Sequence, residues 1–149
     1  MRVARFLVGW LAVLAAVSSL AACGDQSLIR EDHPSTLAGS SWLVTSVNGH
    51  PPVGGTAPSA AFTDVQVTGS AGCNGYGGRY RYDPSDGAIA FVELGQTAML
   101  CVEPARNAFE SALMQAIGGA TTASMDPAGR LVLSGPGGEV VLVVGPVGS

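Results

Sequence analysis

From Trp42 onward, one segment alone repeats its apolar residues with the period of a helix. Within 103-EPARNAFESALMQAIGG-119, Ala105, Ala108, Phe109, Ala112, Leu113, Ala116 and Ile117 fall at offsets 0, 3, 4, 7, 8, 11 and 12, an unbroken amphipathic stripe. Pro104 suits the first helical position and Gly118-Gly119 the stop. Arg106 and Glu110, one turn apart, are expected on the polar face, a pairing worth a few tenths of a kcal/mol. A lone helix has to bury its stripe, and everything else in this part of the chain offers strands.

Those strands announce themselves by short runs and turn dipeptides. The run 42-WLVTSV-47 is β-branched and aromatic and closes on Asn48-Gly49. Next, 60-AAFTDVQVTG-69 alternates, with Phe62, Val65 and Val67 as apolar marks. In 79-RYRYD-83 the two arginines share one face and the two tyrosines the other. The turn Pro84–Gly87 joins this run to 88-AIAFVEL-94 as a β-hairpin. Finally 121-TTASM-125, 130-RLVLS-134 and 139-EVVLVV-144, parted by DPAG and GPGG, predict a three-strand meander. The stretch 49-GHPPVGGTAP-58 is expected to be an exposed loop. The fold class is α+β: a curved antiparallel sheet or small barrel of about six to eight strands with one amphipathic helix packed on it.

Residues 1–22 have a different character. Arg2 and Arg5 precede an almost unbroken apolar run from Phe6 to Leu20, and Leu20-Ala21-Ala22-Cys23 places small residues ahead of a cysteine. The segment resembles a bacterial lipoprotein signal with its lipobox. That resemblance implies cleavage before Cys23 and a diacylglyceryl group on its thiol, with palmitate as the added acyl chain. Two acyl chains anchor stably where one binds only reversibly. Residues 23–40 then read as a lipidated N-terminus and flexible spacer, with the domain running from 41 to 145. The chain from Cys23 onward carries five arginines and eleven acids, five minus eleven giving −6. With no lysine and no basic stripe, nucleic acid is not an expected partner, and lipid rather than charge has to hold the protein to a membrane.

Cys73 and Cys101 remain, an even pair in an exported domain, where an oxidising compartment lets a disulfide persist. Glycines at 69, 72, 75, 77 and 78 let the chain turn sharply around Cys73. Two other chemistries stay open. Cys101 precedes a helix start, where the dipole lowers a thiol pKa, but a histidine base is normally needed, and His33 lies in the spacer and His50 in a turn. A metal site lacks a Cys-x-x-Cys and enough ligands, so no metal and no cofactor are expected. Asn74 is read as a turn residue bonding its own backbone.

Gly69, Gly72-Cys73-Asn74, Tyr76, Gly78 and Tyr80, followed by Thr97-x-Met99-x-Cys101 and Glu110, resemble the META domain, the heat-shock protein HslJ family, from about Trp42 to Val144. The resemblance implies a compact α+β domain, often on bacterial envelope lipoproteins and associated with heat-shock and envelope stress, without catalytic residues to carry over. The expected protein is therefore a monomeric, non-enzymatic lipoprotein on the extracytoplasmic face of a cell membrane that binds an unidentified envelope protein or ligand. An inhibitor of an exported hydrolase, using loop 49–58 to plug a cleft, is the alternative. A thiol-dependent enzyme using Cys101 comes third.

Overall fold

The computed structural model describes residues 33–146 apart from Thr56. Residues 1–22, expected to be a signal segment, and Cys23 lie outside these residues. Eight strands follow in order: β1 (Ser41–Val47), β2 (Ser59–Phe62), β3 (Gln66–Ser70), β4 (Gly75–Asp83), β5 (Ala88–Gln96), β6 (Thr122–Met125), β7 (Leu131–Gly135) and β8 (Gly138–Val144), with the single helix α1 (Pro104–Gly118) between β5 and β6. Each strand pairs antiparallel with its sequence neighbour, and β1 closes on β8, so the sheet is a complete barrel. Closure removes the unpaired edges that an open sheet of this size would expose.

The barrel is held unevenly. β4 and β5 pair over most of their lengths, while β5 and β6 meet at one register pair, Ala88 with Thr122. α1 is the connection across that weak seam, packing against β8, β5, β7 and β1. Its Phe109, Leu113, Ala116 and Ile117 join Trp42, Val44, Phe62, Tyr80, Leu131, Leu133, Val140 and Leu142 in one core. Phe62 and Tyr80 meet edge to face at 5.1 Å, the arrangement their ring quadrupoles favour. Arg79 and Arg81 face solvent while Tyr80 is buried and Tyr82 half-buried, as their alternation requires.

Four expectations need correction. The run 60–69 is two strands, not one. Thr63 takes the Gln66 N–H on its Oγ1 at 3.1 Å and donates its own N–H to Gln66 O at 2.8 Å, folding a tight hairpin that leaves Val65 half exposed. The glycine-rich stretch is a turn only as far as Asn74, and Gly75 to Tyr80 belong to β4. The spacer ends earlier than residue 40, because Leu37 is 1% exposed in the core, Tyr82 donates its hydroxyl to Pro34 O, and His33 Nδ1 lies 3.2 Å from Ala123 O. Last, the helix is rotated from its expected seat, with Ala105 and Ala108 exposed and Glu110 buried. Glu110 faces a ring of donors, and satisfying them outweighs the small apolar gain from two alanines.

Candidate functional site

The turn Ala71–Asn74 sits against the helix at Glu110, and two glycines make that approach possible. At Gly72, φ is +132°, a region that side chains rarely enter, and an added Cβ would lie 3.4 Å from Glu110 Oε1. At Gly69, a Cβ would come within 1.9 Å of Ser59 O and 2.7 Å of the Tyr76 hydroxyl. That hydroxyl donates to Ser59 O at 2.8 Å, so Tyr76 closes over Gly69 and ties β4 to β2 inside the barrel. Burial pushes the Tyr76 phenol well above its ordinary value.

Glu110 and Asn74, each 3% exposed, form the centre. Glu110 Oε1 accepts the backbone N–H groups of Cys73 and Asn74, the latter at 2.7 Å, and Oε2 accepts Asn74 Nδ2 at 2.8 Å. The other Nδ2 proton goes to Met99 O at 2.8 Å. Asn74 Oδ1 accepts the Thr97 hydroxyl at 2.8 Å and the Met99 N–H at 2.7 Å. The amide therefore uses two donors and two lone pairs, its whole capacity. Desolvation raises the Glu110 pKa, but the Asn74 amide, the two backbone N–H groups and the nearby Arg106 outweigh it and hold the carboxyl below its ordinary value.

The disulfide lies on the same turn. Cys73 and Cys101 are joined, with Cα atoms 5.9 Å apart, linking the turn to the residue that leads into α1. Cys101 is held a second time, because Asn107 Oδ1 accepts its N–H and Asn107 Nδ2 donates to its carbonyl, both at 3.0 Å. Arg106 reaches over the cystine, its Nη1 3.8 Å from Cys73 Sγ and its Nη2 3.2 Å from Glu103. Cys73, Cys101 and Glu110 bring their ligand atoms within 4.8 Å of one another, but both sulfurs are spent in one bond.

Of the residues singled out in the sequence, Gly72, Cys73, Asn74, Thr97, Met99, Cys101 and Glu110 converge, whereas Tyr76 serves the barrel interior. Asn74 does not bond its own turn with its side chain: its partners are 23 to 36 residues away. Met99 enters through its backbone, and its side chain is 64% exposed. Asn107 and Arg106 were missed as members of this site. The available signal for Asn107 was an amide in the first helical turns just after a cysteine. The network's chemistry is positional: it pins the loop between β5 and α1 by its backbone.

Two surface depressions lie nearby. An open groove of about 540 Å³ has Gly75, Gly77 and Gly95 as its floor, with Glu93, Gln96 and Thr97 beside them. A more apolar groove of about 290 Å³ runs between the 47–53 segment and Ala105, Ala108, Phe109 and Ala112 of α1.

Residues 35–147 match the META domain family. No curated protein matches the chain by sequence. Among solved structures, an NMR structure of a protein from Burkholderia xenovorans is 23% identical, covers 71% of this chain and 81% of its own, and superposes with a TM-score of 0.55. A second protein solved by NMR is 22% identical, covers 72% and 91%, and gives 0.58. At such identities these likenesses establish the fold.

Proposed function

Because this chain belongs to the META domain family, we propose that it is a non-enzymatic envelope lipoprotein, held to the extracytoplasmic face of a membrane by lipid on Cys23, whose barrel binds another envelope component in an envelope-stress role. The observation that carries this reading is the Cys73–Cys101 disulfide. Such bonds persist in exported proteins and are rare where thiols are kept reduced. A lipobox cysteine ahead of a disulfide-bearing domain is consistent with one itinerary, export followed by lipidation. The described domain starts at His33, ten residues past Cys23, so the tether can span at most about 35 Å and the barrel stays close to its anchor.

The same disulfide bears on the thiol-enzyme reading, since Cys101 in this state has no thiolate to attack with. The inhibitor reading draws on the exposed residues 49–51 and Val53 beside the apolar groove on α1. Cys23→Ser tests the anchor. The variant should lose acyl labelling and leave the membrane fraction. Retention after a high-salt wash would sink the proposal.

A further inference from the structure

The pinned loop between β5 and α1 displays apolar side chains to solvent. Met99 is 64% exposed, Leu100 87% and Val102 99%, three such side chains within four positions. Clustered exposure of this kind marks interaction surfaces, whereas single exposed apolar residues are ordinary. Here the cluster is also rigid. Asn74 bonds both backbone groups of Met99, Asn107 bonds both of Cys101, and the disulfide fixes Cys101 between Leu100 and Val102. A buried polar network is spent on holding an apolar loop in one conformation outside the core. Preorganisation of this sort lowers the ordering cost of binding.

We infer that Met99, Leu100 and Val102 form a rigid knob that docks into an apolar cleft of an exported partner protein. This rests on the binding role proposed above and names its surface. Three features select that occupant. The knob follows the end of β5, whereas the tether leaves from His33, which packs at Gly87 and Ala123 by the start of β5. Nine strand residues separate the two ends by about 26 Å, so the knob sits at the opposite end of β5 from the point where the tether leaves. Its charged neighbours, Glu103 and Arg106, pair with each other at 3.2 Å, and the described residues carry four arginines and eight acids, four minus eight giving −4. An anionic bilayer repels such a surface, and tips that enter lipid are normally rimmed by basic residues. Two convex knobs, in turn, cannot bury the roughly 1,200–2,000 Å² that a stable interface needs. A concave apolar site with a basic or polar rim can take the knob and extend over the groove that adjoins it at Thr97.

The test uses the full chain in its own membrane, with the photo-crosslinking residue p-benzoylphenylalanine placed at Val102, at His50 or at the exposed Ala128. Val102 should yield a discrete adduct with another protein, and Ala128 none. Leu100→Ser should cut the Val102 adduct by about tenfold or more, the effect of losing one buried leucine, while the melting temperature is unchanged. A Val102→Trp variant mixed with vesicles of phosphatidylethanolamine and phosphatidylglycerol should keep its emission maximum. A phospholipid adduct, a blue shift on vesicles, an adduct with a second copy of this chain, equal labelling from Ala128 or indifference to Leu100→Ser each overturns the knob. An adduct from His50 alone overturns the knob and leaves the binding role standing. Silence at all three positions overturns both.

Discussion

Asn74 and Glu110, 36 residues apart, are joined twice: the Asn74 backbone N–H donates to one carboxylate oxygen and its side-chain amide to the other. The amide's remaining bonds reach Thr97 and Met99, so one side chain couples the turn before β4, the loop after β5 and the helix. Asn74→Ala removes every one of these side-chain bonds and leaves buried partners unpaired. The expected loss is about 2–4 kcal/mol, read by urea unfolding. A loss under about 1 kcal/mol would mean that water replaces the amide.

Acid should weaken this junction. The Glu110 carboxyl lies below its ordinary value of 4.5 in the folded protein, so its stabilising contribution is complete above that unfolded value. It is lost as the pH falls through the lower, folded value. Glu110→Gln should cost about 1–3 kcal/mol at neutral pH, because its amide donor faces the Asn74 amide donor. The gap between the two proteins should then narrow as the pH drops below 4.5. Asp83 and Asp126 are also held low, by bonds to Ser85 and Arg130 respectively, so the comparison of the variant with the parent, not the parent's curve alone, isolates Glu110. Parallel curves would count against the assignment.

The cystine closes a separation of 28 residues. Chain-entropy reasoning gives about 3.5 kcal/mol for a loop of that length, against roughly 5–15 for a whole domain. A soluble form beginning after Cys23 should show no titratable thiol when denatured without reductant and two after reduction, with a clear fall in melting temperature. Cys73→Ala should melt like the reduced protein and expose one thiol. Two free thiols in the untreated protein would remove the staple and, with it, the rigidity that the knob requires.

Glycine substitution separates close approach from mere sequence bias. Gly69→Ala places a methyl within 1.9 Å of Ser59 O, whereas Gly95→Ala meets nothing within 4 Å. The first should cost more than about 2 kcal/mol or prevent folding. The second should change the melt little. Equal effects would show that the β2–β3–β4 contact relaxes, and that Tyr76 need not close over a bare backbone.

Sequence alone determined the inventory of the fold. Period and turn chemistry are local properties, so the strand-like runs, the hairpin at Pro84–Gly87, the final meander and the single helix were legible in Trp42–Val144. The cysteine pairing was legible for a compositional reason, because two cysteines remain once Cys23 is set aside. What tertiary structure alone decided was where polar groups go. A carboxylate at a helical position reads as solvated, and the Arg106 to Glu110 spacing encouraged that reading. Only the arrival of the 71–74 turn, with unpaired N–H groups to satisfy, makes burial of Glu110 favourable. Asn74 reads as a turn residue because its long-range partners, at Thr97, Met99 and Glu110, leave no local pattern. Closure of β1 on β8 and the seat of Leu37 in the core are of the same kind, contacts between residues far apart in the chain that no window of neighbours can contain.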